Sequence, residues 1–153
     1  MLFRSLPLTI LAGGLSDKIG RRPVVIGGLL LGTILIQPAY QFIQNLSVQN
    51  TPDYFLINAT LITLALPLAL VVGPQTALLA ELFPARTRNS AATLPHNLAA
   101  GWIGGLLPLI VTWINKEFAS QLAGLWYPTI FLAIAALLAI LYLPETRKND
   151  LSE

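Results

Sequence analysis

The sequence contains no cysteine and a single histidine, His96. That excludes a disulfide framework, a thiolate metal site, a cysteine nucleophile and any two-histidine metal site. Charge is also scarce. Asp, Glu, Lys and Arg make up 10% of the 153 residues, against about 25% in a soluble domain. Hydrophobic residues make up 55%, so neither a disordered chain nor a water-soluble globule fits. No nucleophile–base pair, metal set or phosphate-binding glycine loop stands out, so nothing points to an enzyme. No cofactor and no metal are expected.

What the chain has in abundance is long apolar runs. A helix crossing a bilayer needs about 20 mostly apolar residues, and four stretches meet that length: 24–42, 54–83, 90–114 and 122–143. The runs are continuous rather than alternating, which argues for helices over strands. Pro23 suits a first helical turn, Thr51-Pro52 reads as an N-cap followed by proline, Asn89-Ser90 reads as a cap, and Pro144 stops the last helix. Residues 1–12 are apolar but short and interrupted by Arg4. They read either as a signal peptide ending in Ala12-Gly13-Gly14 or, preferably, as a partial span, the last half of a helix whose beginning is missing, with Met1 marking a truncation. The expected fold is an all-α integral membrane protein with four transmembrane helices plus a partial N-terminal one.

The positions of the basic residues set an orientation. Lys18, Arg21 and Arg22 fall in the turn at 13–23, Arg86 and Arg88 follow the second span, and Arg147 and Lys148 lie in the tail at 144–153. The two connections on the other face hold only Lys116. By the positive-inside rule the basic turns and the tail are cytoplasmic, in a multi-pass protein of the cell membrane whose first partner is the lipid bilayer. The net charge of +2 is a topology signal, and no nucleic-acid partner is expected.

Residues 13–23, Gly-Gly-Leu-Ser-Asp-Lys-Ile-Gly-Arg-Arg-Pro, fill the pattern G-x-L-[AS]-D-[RK]-x-G-[RK]-[RK]. This resembles the cytoplasmic signature loop of the major facilitator superfamily, with Gly13, Asp17, Lys18, Gly20, Arg21 and Arg22 at its specified positions. Glycine permits a tight turn or a close helix approach, aspartate offers a carboxylate to a helix end or an arginine, and the basic residues hold the loop inside. A second stretch, Glu81-Leu-Phe-Pro-Ala-Arg86-Thr-Arg88, resembles the E-x-F-P-x-R-x-R segment of sugar porters and metabolite:proton symporters. Asn97 followed by Gly104-Gly105-Leu106-Leu107-Pro108 looks more like the symporters. Asn89-Ser90-Ala91 and Pro95-His96 depart from the usual symporter residues. The tail Leu143-Pro144-Glu145-Thr146-Arg147 is similar to the ending both families share.

The resemblance implies the C-terminal part of a twelve-helix fold, from late helix eight to helix twelve. The implied function is proton-coupled transport of a small organic solute, a carboxylate or an osmolyte, by alternating access. It implies a charge latch in which Asp17 and the arginines of its loop meet Glu81, Arg86, Arg88, Glu145 and the tail's Arg147 when the inner side is shut. It also makes the first and fourth spans peripheral and puts the second and third beside the central pathway. There Gln75, Asn97 and Trp102 are the candidate lining residues, with Arg4 at mid-membrane depth as a candidate for an anionic solute. The alternative for each amide is an interhelical hydrogen bond, and for Trp102 simple packing. A fragment of this extent is expected to be inactive alone. Its partner would be either the missing N-terminal helices or another copy in a homo-oligomer. The alternatives are a sugar-porter-type fragment and a stand-alone four-span protein that oligomerises through Gly28-x-x-x-Gly32 or Gly101-x-x-x-Gly105.

Overall fold

The computed structural model describes residues 2–48, 53–82, 93–94, 96–120 and 122–146, with the side chains of residues 2–6, 76 and 80 left aside. Arg86, Arg88 and Arg147 lie outside the described residues, as do the caps expected at residues 51–52 and 89–90. Among the described residues the structure is helical, with no strand. In chain order it comprises α1 (Leu2–Ile19), α2 (Arg21–Ser47), α3 (Tyr54–Leu82), a π-helical segment (Ala99–Gly104) leading into α4 (Gly105–Glu117), and a 3₁₀ turn (Ala123–Leu125) leading into α5 (Trp126–Tyr142). Among the described residues, four helical stretches are long and apolar enough to cross a membrane: Arg21–Ser47, Tyr54–Leu79, His96–Glu117 and Ala123–Tyr142.

Residues 13–23 do not form the loop that their glycines suggest. α1 continues to Ile19 and α2 begins at Arg21, so Gly20 alone separates the two helices. The reason is local. The Ser16 hydroxyl donates back to the Gly13 carbonyl at 2.7 Å, and the Gly20 N–H closes the last turn on the Ser16 carbonyl at 3.0 Å. The chain reverses at Gly20, whose φ of +124° is open to glycine and strained for other residues. Gly13 serves close packing instead. A Cβ there would lie 3.7 Å from the Gly73 carbonyl oxygen, and one on Gly73 would sit 2.8 Å from the Thr9 carbonyl. α1 and α3 therefore meet backbone to backbone.

Other boundaries also move. α3 is capped by Asp53, whose carboxylate accepts from the N–H groups of Phe55 at 3.0 Å and Leu56 at 3.2 Å; a side-chain oxygen on the first free N–H groups is what an N-cap supplies. α2 runs on to Ser47 through Pro38, past the end expected at Phe42. α5 begins at Trp126 because Ala123–Leu125 wind more tightly as a 3₁₀ turn.

α2 is the centre of the bundle, with α3 packed on one side and α5 on another, while α1 packs mainly on α3. Most of α2 nonetheless stays at least partly exposed, as a peripheral span would, and only part of its surface is drawn into close contact. The cause of that contact is its small-residue face. A Cβ on Gly28 would press within 3.0 Å of Leu70, Val71 and the Pro67 carbonyl, and one on Gly32 would touch Leu132 of α5 at 3.5 Å. The Gly28–Gly32 pair is thus used inside the bundle. Ala12, Ala69 and Ala136 are buried, whereas Leu68, Leu109 and Leu141 are exposed. Val24, Leu29, Leu46 and Leu78 are buried as well, so the small residues mark the points of close helix approach rather than the whole interior.

The His96–Glu117 stretch stands apart, with none of its described residues buried. Its tie to the bundle is at one end. Gly124 presses on Val111, where a Cβ would lie 2.5 Å from the carbonyl oxygen, and the Gly124 N–H donates to the Asn115 side-chain oxygen at 2.6 Å.

Candidate functional site

The end of α1, the start of α2 and the ends of α3 and α5 meet at one end of the bundle, and their charged residues converge there. Arg21, the first residue of α2, is the hub. Its guanidinium donates from Nε to Glu81 Oε1 at 3.2 Å and from Nη2 to the same oxygen at 3.1 Å, while Nη1 donates to Ser16 Oγ at 2.6 Å. Nη1 also pairs with Asp17. The Thr146 hydroxyl donates to the other Glu81 oxygen at 2.5 Å, and Thr146 and Ser16 are both fully buried. Arginine's planar fork suits this arrangement, since it can meet a carboxylate and two further acceptors at once.

Exposure ranks the pairs. The Arg21 and Glu81 side chains are 12% and 10% exposed, whereas that of Asp17 is 62% exposed. The Arg21–Glu81 contact is shielded from solvent and the Asp17 contact is screened. Glu145 uses its carboxylate differently. Its oxygens accept the backbone N–H groups of Arg21 at 2.9 Å and Arg22 at 3.3 Å. Those are N–H groups that the first turn of a helix leaves without partners, at the positive end of its dipole. Gly20 makes room for this: a Cβ there would lie 2.5 Å from Glu145 Oε2.

Arg22 reaches across to α5, with Nη2 donating to the Ile140 carbonyl at 2.6 Å. An α-helix would satisfy that carbonyl from residue 144, but Pro144 has no N–H. Lys18 sits in the last turn of α1, where a positive charge complements the helix dipole. Thus Asp17, Arg21, Glu81 and Glu145 come together, Arg22 joins through its backbone and the Ile140 carbonyl, and Gly13 belongs to the α1–α3 contact instead. Thr146 and Ile140 were not singled out by the sequence. Thr146 stood in plain view beside Glu145, but a hydroxyl gives no charge signal. A backbone carbonyl gives no residue signal at all.

The candidate pathway residues separate. Asn97 and Trp102 are exposed and line one open groove of about 650 Å³ with Leu94, Leu98, Gly101 and Leu106. Gln75 is half-buried on α3 beside fully buried Pro74 and does not line that groove. Arg4 is placed on α1, with its side chain outside the description. Among the described residues no group of three or more His, Asp or Glu is placed to hold a metal.

Comparison with known proteins gives a consistent answer. The Major Facilitator Superfamily family model matches residues 2–153. A citrate-proton symporter of Klebsiella pneumoniae is 32% identical over 131 residues, covering 86% of this chain and 28% of that protein. An ectoine/proline transporter of Corynebacterium glutamicum is 28% identical, covering 89% of this chain and 26% of its own length. A proline/betaine transporter of Escherichia coli is 29% identical, covering 91% and 26%. The chain therefore spans little more than a quarter of these relatives. No solved structure matches it.

Proposed function

The chain belongs to the major facilitator superfamily, and from that membership we propose that it supplies the helix-eight-to-twelve part of a transporter. The proposed activity is proton-coupled movement of a small organic solute by alternating access, in an assembly where this bundle works against a second one. Citrate, proline, ectoine and betaine in the names of its relatives support carboxylates and zwitterionic osmolytes as the proposed solute class. The charged end faces the cytoplasm in this reading, as the positive-inside rule requires.

The observation that carries the reading is the Arg21–Glu81 pair with Glu145 and Thr146 around it. Rocking between two bundles needs each bundle to move as a body. A shielded ion pair joining α2 to α3, with the α5 tail bonded to both, is suited to that task. In this reading the Arg21–Glu81 and Glu145 contacts are the part of the charge latch that this chain supplies. Arg21 and Glu81 form an internal clamp, and mostly exposed Asp17 is the group left facing outward to a second bundle. The groove along Asn97 and Trp102 is the proposed solute-facing surface, on a membrane-length stretch with no buried residue among those described.

The test is co-expression of the chain with the N-terminal two thirds of a relative, followed by uptake of labelled citrate, proline and betaine into vesicles. Uptake that needs both pieces and disappears with a protonophore is the expected result. If the two pieces co-purify yet move none of these solutes under an imposed proton gradient, the transporter reading fails.

A further inference from the structure

Ala99–Gly104 is wound as a π-helix inside the His96–Glu117 span, and its register has a consequence for the groove. In an α-helix each residue advances about 100°, so residues five apart point about 140° from each other and residues nine apart about 180°. Asn97 and Trp102 are five apart, and Asn97 and Leu106 nine apart, yet all three line the same groove. Bonding from i to i+5 widens the turn to about 4.4 residues, so residues five apart point only about 50° from each other. The π-segment is therefore what brings the Asn97 amide onto the face that carries the Trp102 ring.

Two further observations bear on this register. The segment is rich in glycine, with Gly101 and Gly104 inside it and Gly105 next, and a Cβ on Gly101 would meet nothing within 4 Å. No residue of the segment is buried, so packing against the described bundle does not fix the turn. Pro108 adds to the effect, because it offers no N–H to the Gly104 carbonyl and so weakens the α register at the C-terminal side of the segment.

We infer that Ala99–Gly104 is a register switch: in the π form it sets Asn97 and Trp102 on one surface, and conversion to the α form turns Asn97 off it while α4 stays in place. That this surface meets solute rests on the transporter reading; the switch itself does not. The absence of cysteine allows a direct test on the purified chain in lipid nanodiscs. Trp113→Phe and Trp126→Phe leave Trp102 as the only tryptophan, and a bimane on Asn97→Cys or Leu98→Cys reports its proximity by quenching.

The π register places both labels near Trp102, so comparable quenching is expected, judged against Trp102→Phe controls. In an α register residue 98 stays within about 40° of Trp102 while residue 97 moves to about 140°. Quenching at 98 alone would overturn the assignment. In a Gly101→Ala, Gly104→Ala background, which favours the α form, quenching at 97 is expected to fall several-fold while that at 98 holds. Unchanged quenching at 97 would overturn the switch. If that background fails to fold, the comparison of 97 with 98 in the unaltered glycine background still decides the register. Neither arm measures transport, so failure here is distinct from failure of the uptake test.

Discussion

The Arg22 guanidinium stands 2.6 Å from the Ile140 carbonyl, filling the place of the N–H that Pro144 lacks. A helix that must end at a proline leaves carbonyls behind, and here a side chain from the neighbouring helix takes one of them. Directly after Pro144, Glu145 and Thr146 join the charged cluster.

This relationship predicts a specific coupling. Arg22→Ala lowers the stability of the detergent-solubilised bundle by about 1 kcal/mol, the usual worth of such a bond. Pro144→Ala restores an N–H and lets α5 wind further, so Arg22→Ala costs less in that background. A double-mutant cycle read by thermal unfolding should show coupling of about 0.5 kcal/mol or more; strict additivity would refute the relationship.

The clamp residues should separate from Asp17. Arg21→Met takes the cation away from a shielded Glu81 carboxylate and is expected to destabilise by about 3 kcal/mol, as when one partner of a buried pair is removed. Arg21→Lys keeps the charge but not the fork, and should recover only part of the loss. Asp17→Asn should cost less than about 1 kcal/mol, because its carboxylate is mostly exposed. In the assembled transporter, however, Asp17→Asn is expected to shift the resting conformation and slow transport. Accessibility labelling together with uptake measures both; if neither changes, the outward role of Asp17 is wrong.

Two neighbouring types of glycine should respond in opposite ways. Gly73→Ala brings a Cβ to 2.8 Å from the Thr9 carbonyl, so α1 and α3 must separate, at a cost of about 1–3 kcal/mol. Gly14→Ala meets nothing within 4 Å and replaces a helical glycine, so it should stabilise by about 0.5–1 kcal/mol. Heat or denaturant titration in micelles reads both signs.

Orientation can be read in whole cells, since introduced cysteines have no native competitor. A membrane-impermeant maleimide should label Lys116→Cys from outside and Lys18→Cys only after permeabilisation. The reverse pattern would invert the proposed topology.

Much of the fold was legible in the sequence because apolar run length is a strong signal. Four apolar helices appear on the continuous hydrophobic stretches, while their ends were less legible: α2 begins at Arg21, before Pro23, and runs through Pro38 to Ser47. Within those runs the sequence was silent about register. Ala99–Gly104 is apolar whether wound as α or π, so no periodicity distinguishes the two. Gly13-Gly14 beside a charged motif reads as a turn, and only the position of Gly73 on another helix shows that Gly13 serves contact instead. The acidic and basic members of the cluster were legible by charge. Their grouping was not, because Glu81 and Arg21 are 60 residues apart and any of several basic residues could have matched either carboxylate.

Among the described residues α4 is held mainly by the turn at Gly124, with a few contacts to α5, which makes that helix a lever. Asn97 lies 18 residues from the Asn115 anchor, about 27 Å along the axis at helical rise. A tilt of about 10° at the anchor would sweep Asn97 sideways by roughly 5 Å over that length, more than the diameter of a water molecule. Small angular changes at the junction with the 3₁₀ turn would thus carry Leu94, Asn97, Leu98, Gly101, Trp102 and Leu106 sideways together, with the clamped ends of α1, α2, α3 and α5 left undisturbed.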